Sequence, residues 1–295
     1  MKRFRSSIGA VSAAGLLGAA LTLAAGAGTV ATAAPAIVHA PRIPGPGNGN
    51  GLHSTWSASN WSGYAETGTF TGVTSTWIVP AVAASSSPTY SSAWIGVDGF
   101  NNSSLIQTGT EEDYYNGAAH YNAWWEILPA AETALPSTYG VGAGDHMKAS
   151  IYETATVSGG GGHGHKNGGS QHVWEITIAD TTLGWTFSTS QAYNGPGASA
   201  EWIMEAPEVG GRVTTLASYT VNAPAGTGDF DSAGVLTSIV TSGTPLYTSA
   251  GLNYQKDAGV MIQNNQTVSS PSNPDGALTA FNVAHGSVQP SAPTG

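Results

Sequence analysis

The chain has 295 residues, among them 40 Gly, nine Trp and eleven Tyr, and only 9% of its residues are charged. This composition argues against a helical fold and is typical of strands joined by turns. The lack of cysteine excludes disulfides, thiol nucleophiles and Cys-ligated metals, and a net charge of −10 argues against nucleic acid and anionic membrane as partners.

The first 34 residues have the pattern of a secretory signal peptide. The basic start MKRFRSS precedes an uncharged Ala/Gly/Leu-rich run that ends in ATAAP, and cleavage is predicted after Ala33 or Ala34. The run is also long enough for a membrane anchor, but its Gly and Ala content makes it a weak lipid segment. We therefore predict a secreted, extracellular protein without membrane contact after signal removal. Because three of the eight Lys and Arg leave with the signal, five basic residues remain against 18 acidic ones.

The rest of the chain divides into a short leader, one domain and a tail. Residues 35–55 are rich in Pro, Gly and Asn and lack periodicity, which predicts a linker or a short pro-segment. From Trp56 onward, alternating segments bounded by turn residues predict about a dozen strands. They lie at 60–66, 75–80, 93–99, 104–111, 121–129, 146–157, 171–180, 184–190, 199–205, 212–221, 234–240, 259–264 and 277–283. We predict a single all-β domain over 56–285, an antiparallel two-sheet β-sandwich, and a flexible tail at 286–295.

Three of the predicted strands carry apolar residues on one face and Trp, carboxyl and amide groups on the other. Because side chains alternate along a strand, the second face carries, in chain order, Trp94 and Asp98, then Gln107, then Trp124 and Glu126. This pattern predicts a sheet with one face on a core and the other lining a groove.

The strand SAEWIME at 199–205 presents acids in the same way, with Glu201, Ile203 and Glu205 on one face. A carboxylate can act as general base to water and then as general acid to a leaving amine. A carboxamide N–H can stabilise an oxyanion. One Glu and one Gln thus suffice for amide hydrolysis without a covalent intermediate, and we predict that Glu201 and Gln107 act as this pair, with Glu205 structural. The pattern alone is equally compatible with a hydrogen-bonded strand carboxylate and an ordinary amide on the sheet face.

Other familiar sites are absent from the sequence. There is no G-x-S-x-G, H-E-x-x-H, P-loop or paired Asp-Thr/Ser-Gly motif. His163, His165 and His172 suggest zinc, but the first two lie in the glycine-rich run 159–169, which would cost much entropy to order. We interpret this run as a flexible loop, and we expect no metal and no cofactor.

Six segments resemble, in order and approximate spacing, the glutamic peptidases, or eqolisins: NWSGY, TWIVP, AWIGVDG, LIQTGTE, YNAWWEILP and AEWIMEAPE. The resemblance extends over roughly residues 57–285. It implies a concanavalin A-like double-sheet sandwich, acid-dependent endopeptidase activity on polypeptides, and a catalytic dyad of Gln107 and Glu201. By the same motifs, it implies groove positions for Trp94, Asp98, Trp124 and Glu126. The two tryptophans would form the groove walls, and Asp98 and Glu126 would be polar groove residues or would support the groove from behind.

Some residues depart from the family, and other functions fit the same pattern. Leu128 stands where fungal members have Tyr, and Glu111 stands where Asp is usual, which leaves the substrate preference open. A β-sandwich with Trp beside two carboxylates also suits sugars. Glu126 and Glu201 would then be the acid and nucleophile of a glycoside hydrolase, about 5 Å apart if it is retaining, and a lectin is a further alternative. We expect a monomeric peptidase that acts well below neutral pH.

Overall fold

The computed structural model describes residues 36–46, 55–157, 170–221, 223–224 and 226–295. The predicted signal peptide and the glycine-rich run lie outside these ranges. The described residues form 21 strands and one short helix, α1, at Tyr254–Asp257. The strands are β1 Ile37–Val38, β2 Trp56–Ala58, β3 Trp61–Thr67, β4 Gly72–Ile78, β5 Ala81–Val82, β6 Ser92–Val97, β7 Ile106–Tyr115, β8 Ala118–Ile127, β9 Thr133–Ala134, β10 His146–Val157, β11 Gln171–Asp180, β12 Trp185–Ala192, β13 Ser199–Glu205, β14 Glu208–Val209, β15 Arg212–Val213, β16 Tyr219–Thr220, β17 Phe230–Leu236, β18 Thr248–Ser249, β19 Ala258–Gln263, β20 Gln266–Pro271 and β21 Val283–His285.

Two large sheets account for most of these strands. One has the order β21-β20-β19-β3-β13-β6-β7-β8-β9, with β2 paired in parallel to β19, and the other has the order β12-β11-β10-β4-β17-β18. All their remaining pairs among the described residues are antiparallel. The predicted all-β fold with two packed antiparallel sheets is therefore confirmed. Small additional pairings join β1, β14 and β15, and β5 with β16.

The main core lies between the two sheets. Period-two alternation turns Ile95 and Trp202 of the first sheet toward Trp77, Ile151 and Ile176 of the second, and all five are buried. Apolar burial of this kind contributes roughly 25 cal/mol per Å² of surface removed from water. Because one face of each strand packs here, the opposite face of the first sheet is free to build a site.

A second apolar cluster covers that opposite face. It contains Trp61, Trp94, Trp124 and Ile203, of which the last three lie in one cross-strand row with Gly109. A Cβ at Gly109 would lie 2.4 Å from both Trp94 Cβ and the Ala93 carbonyl oxygen. The absence of a side chain at this position therefore allows Trp94 to lie across the strands.

The C-terminal region differs from the predicted strand at 277–283. The Asp275 carboxylate accepts hydrogen bonds from the backbone N–H groups of Ala277, Thr279 and Ala280, which holds a turn where alternation indicated a strand. In the predicted flexible tail, the Ser291 carbonyl accepts a 2.8 Å hydrogen bond from Asn282 Nδ2. Within the described ranges, no helix has the length and apolar character needed to cross a membrane.

Candidate active site

Gln107 lies in the predicted groove beside Glu126, its cross-strand partner between β7 and β8. Its side-chain Nε2 donates to Glu126 Oε2 at 2.7 Å and to the carbonyl oxygen of His39 at 2.9 Å. The acid therefore orients the amide, and the second N–H of the amide is presented to a peptide carbonyl. Both residues are buried.

The peptide in the groove belongs to the chain itself, within the region predicted to be a linker or pro-segment. Strand β1 pairs antiparallel with β14. After it, the His39 N–H donates to Glu126 Oε2 at 3.1 Å, and the Ala40 carbonyl accepts from Trp61 Nε1 at 3.0 Å. Residues 36–46 thus lie along the groove with backbone hydrogen bonds on both sides of Gln107.

The imidazole ring of His39 fills a fully buried pocket. It stacks on Trp124 with 3.6 Å between ring centroids and 5° between the planes. Its Nδ1 lies 2.9 Å from Glu205 Oε2, and its Nε2 lies 2.8 Å from Glu111 Oε1 and 3.3 Å from Glu132 Oε2. An imidazolium, which carries an N–H on each nitrogen, matches this arrangement of three carboxyl groups.

The electrostatics of the pocket favour the charged ring. Burial alone would lower the pKa of His39, but the charge of Glu111 and the hydrogen bonds that the ring donates to Glu111, Glu132 and Glu205 raise it well above its usual range. Burial raises the pKa of Glu111 to about 8, although His39 opposes the rise. In Glu126 burial likewise raises the pKa to about 8. The site therefore concentrates acids whose protonation depends on what fills the groove.

His39, Glu111 and Glu132 also place their ligand atoms within 4.8 Å of one another, a spacing compatible with a metal ion. However, both ring nitrogens of His39 are at hydrogen-bonding distance from carboxylate oxygens. The same atoms already form an ion-pair cluster in which Glu111 and Glu132 hold the imidazole.

Glu205 is the acid of β13 that faces this pocket. Its Oε2 accepts from Trp94 Nε1 at 2.8 Å as well as from His39 Nδ1. Its Oε1 has no hydrogen-bond partner within the described part of the chain. Burial raises the pKa of Glu205, whereas the hydrogen bonds from His39 and Trp94 lower it by stabilising the carboxylate.

Glu201, the predicted partner of Gln107, is not brought into contact with it. In the sheet, Gly96 of β6 lies between the two residues. The space next to this glycine is filled by the Trp94 ring and the Leu105 side chain, which approach within 2.9 and 3.1 Å of where a Cβ would stand. Neither carboxylate oxygen of Glu201 has a hydrogen-bond partner among the described residues. Burial raises its pKa well above the usual range, which favours the neutral acid.

Asp98, a predicted groove residue, is bonded to the protein itself. Its carboxylate accepts from Tyr193 Oη at 2.6 Å, from the backbone N–H groups of Gly197 and Ala198 at 2.9 and 2.8 Å, and from Asn102 Nδ2 at 3.0 Å. These bonds connect the end of β6 to the segment before β13. Asp98 therefore braces the groove rather than lining it, whereas the two predicted tryptophans do line it.

Comparison with known proteins identifies close parallels to this fold. Residues 59–269 match the model of the Peptidase A4 family. The chain is 28% identical over 204 residues to aspergillopepsin-2 of Aspergillus niger, covering 61% of this chain and 68% of that protein. It is 29% identical over 153 residues to scytalidopepsin B of Scytalidium lignicola, covering 50% and 51%. A crystal structure of scytalido-glutamic peptidase with a peptide-based transition-state analogue shares the fold, with a TM-score of 0.55 at 23% identity over 77% of this chain and 98% of that one.

Proposed function

Because this chain belongs to the Peptidase A4 family, the glutamic peptidases, we propose that it is a secreted acid endopeptidase that uses Glu205 and Gln107 as its catalytic pair. One observation carries the proposal: a peptide unit, that of His39, is held in the groove with its carbonyl oxygen on the Gln107 amide. That a related structure holds a peptide-based transition-state analogue supports polypeptides as substrates.

Gln107 has the geometry of an oxyanion donor. Its N–H lies 2.9 Å from a peptide carbonyl oxygen, the atom that gains negative charge when water attacks the carbonyl carbon. Donors fixed in advance at this position stabilise the transition state more than the ground state. Glu126 holds the amide in place from the other side at 2.7 Å, so its role is to position Gln107.

Glu205 supplies the base in this proposal. It accepts a proton from water as the water attacks, and it then donates that proton to the leaving amine as the carbon–nitrogen bond breaks. The Trp94 N–H stabilises the ionised form of Glu205. Burial raises the pKa of Glu111 and of Glu126 to about 8, so both are neutral in acid. At Glu205 the hydrogen bonds from Trp94 and His39 oppose the rise in pKa, so Glu205 is the one of these three acids that ionises first. This distribution supports activity below neutrality.

Residues 36–46 occupy the place proposed for the substrate. Their occupation of the groove favours a pro-segment over a plain linker for this region, since a substrate has to replace them before hydrolysis. The signal-like first 34 residues support export of the protein.

Three variants test the pair, each assayed with casein near pH 3 and checked for thermal unfolding. We expect Glu205→Gln and Gln107→Ala to lower kcat by about 10²-fold or more, because general-base and oxyanion contributions are typically of this size. The matched control Glu201→Gln, an acid on the same strand, keeps most of the activity. Full activity of E205Q together with loss of activity in E201Q would instead support Glu201 as the catalytic partner of Gln107. A panel of glucans under the same conditions tests the carbohydrate alternatives.

A further inference from the structure

The pocket around His39 has a chemistry that the proposed reaction does not require. A general peptidase needs a carbonyl on Gln107 and a base beside it. Here the residue that presents that carbonyl also inserts its side chain into a fully buried pocket of three carboxyl groups and one indole. We infer that this pocket is a specificity subsite for histidine, and that the preferred substrates carry histidine immediately before the bond that is cleaved. The inference rests on the proposed function.

The position of the subsite follows from the backbone contacts. The carbonyl on Gln107 Nε2 is that of His39, and the N–H on Glu126 is that of the same residue. Both backbone groups of one residue are therefore fixed, and its side chain has one direction to take. In hydrolysis, water oxygen adds to this carbonyl carbon, the bond to the next nitrogen breaks, and the leaving amine receives the proton. The residue in the pocket is then the one that precedes the cut and ends in the new carboxyl group.

The shape of the pocket selects a flat ring. The Trp124 indole lies parallel to the imidazole at 3.6 Å and forms a flat wall of the pocket. A branched aliphatic side chain cannot stack on this wall, and a Lys ammonium presents a single point charge without a ring face. Stacking of a cationic ring on Trp adds cation–π attraction.

The charges of the pocket select a ring with two donors. Glu205 Oε2 lies at one ring nitrogen, and Glu111 and Glu132 lie at the other. A Phe ring can also stack on Trp124, but it leaves the buried carboxyl groups without a hydrogen-bond partner. Unpaired buried polar groups are costly. Discrimination by a missing hydrogen-bonding group is stronger than discrimination by size. The imidazole contacts only Oε2 of Glu205, and Oε1 is not engaged by any described residue.

The test uses the full chain with His39→Ala, which removes the chain's own imidazole from the pocket. Two peptides are compared at pH 4: AIVHAPRIP, the chain's own residues 36–44, and the same peptide with Phe in place of His. We expect kcat/KM to favour the His peptide by at least tenfold, with cleavage after His. Equal rates, a preference for Phe, or cleavage elsewhere in the peptide would overturn the subsite.

Pocket variants in the same background separate the subsite from general effects. Glu132→Gln and Glu111→Gln should each reduce the ratio of His to Phe turnover severalfold, mainly through KM. Glu132 is partly exposed, so E132Q serves even if E111Q does not fold. Glu175→Gln on the distant strand β11 leaves the ratio unchanged, and an unchanged ratio in E132Q and in folded E111Q contradicts the inference. Casein is assayed in parallel: casein cleavage without His preference overturns the subsite alone, whereas no cleavage of any substrate overturns the proposed function.

Discussion

Trp94 connects the apolar cluster of the groove to its chemistry. Its ring packs edge to face on Trp61 at 4.9 Å, and its indole N–H donates to Glu205. In Trp94→Phe the packing is largely kept and the donor is lost. Because a hydrogen bond to the charged form lowers a carboxyl pKa, the loss of the Trp94 N–H raises the pKa of Glu205 further.

The measurement for Trp94→Phe is the pH profile of kcat/KM. The acid limb, where the base ionises, is expected to move to higher pH. Trp125→Phe is the matched control, since Trp125 follows Trp124 on β8 and its side chain packs against the main core on the opposite face. An unchanged acid limb in W94F would contradict the role given to Glu205.

Alternation along β13 does not distinguish Glu201 from Glu205 as the catalytic acid. The two acids are four residues apart, so a period of two puts both on the groove face, and alternation does not separate them. The neighbours across the strands decide: Glu205 lies in the row of Ser92 and Glu111, and Glu201 in the row of Gly96 and Gln107. The row alone favours Glu201. The direction of the Trp94 side chain, which the sequence does not encode locally, reverses the choice.

At the scale of the element, the β6–β7 ladder depends on Gly109. A methyl group there would press on the Ala93 carbonyl and on Trp94 Cβ, both at 2.4 Å, and backbone atoms cannot swing away. We expect Gly109→Ala to lower the free energy of unfolding by about 2 kcal/mol or more. Gly276→Ala is the control, because no atom lies within 4 Å of its added Cβ. Equal urea midpoints for the two variants would show that the ladder adapts.

The segment between β12 and β13 depends on Asp98 for its attachment to the sheet. Asp98→Ala leaves the N–H groups of Gly197 and Ala198 without their acceptor, and buried donors without partners are costly. We expect a loss of roughly 3 kcal/mol in the free energy of unfolding, with KM of the folded enzyme changed less than twofold. Asp231→Ala, near the start of β17, removes a carboxylate that accepts a bond from the adjacent Ser232 N–H and should cost far less. A large rise in KM without loss of stability would show that Asp98 contacts the substrate and does not support the groove.

The segment in the groove could not be found by periodicity. The only strand among its described residues, β1, is two residues long, and the backbone after it is held by bonds to residues distant in sequence, such as Glu126 and Trp61. The Pro and Gly residues of this region interrupt any alternation, so the sequence pattern indicates a linker. The one local signal was a histidine, His39, directly after the apolar pair Ile37–Val38.

At the scale of the whole molecule, fold class was predictable because the two faces of the long strands carry different residues. One face packs on the main core, and the other is exposed, as in β12, or carries buried acids, as in β13. Strands such as β10, β11 and β13 coincide with their predicted ranges. Sheet order was not predictable, because the pairing partners are distant in sequence and alternation does not identify them. The groove residues Gln107, Trp124 and Glu126 were correctly placed on one face for the same reason that their strands were found.

The buried acids make the stability of the whole molecule depend on pH. Burial raises the pKa of Asp229 from 3.8 to about 6, and the hydrogen bond from the Val283 N–H at 2.8 Å opposes this rise. Burial also raises the pKa values of Glu111 and Glu126 to about 8. The folded state therefore binds protons more tightly than the unfolded state. This stabilisation is fully present below the unfolded pKa values, near 4, and is lost as pH rises through 6 and then 8.

Urea unfolding at pH 4 and pH 7 measures this dependence. For Asp229 alone, the rise in pKa from 3.8 to about 6 corresponds to roughly 2 kcal/mol of stability lost between these pH values. Asp229→Asn removes the titrating group, so the difference between pH 4 and pH 7 should shrink by about that amount, while Asp231→Asn on the same strand leaves it unchanged. If D229N keeps the wild-type difference in the free energy of unfolding between pH 4 and pH 7, that difference comes from the groove acids and not from Asp229. The burial of the groove acids depends on residues 36–46.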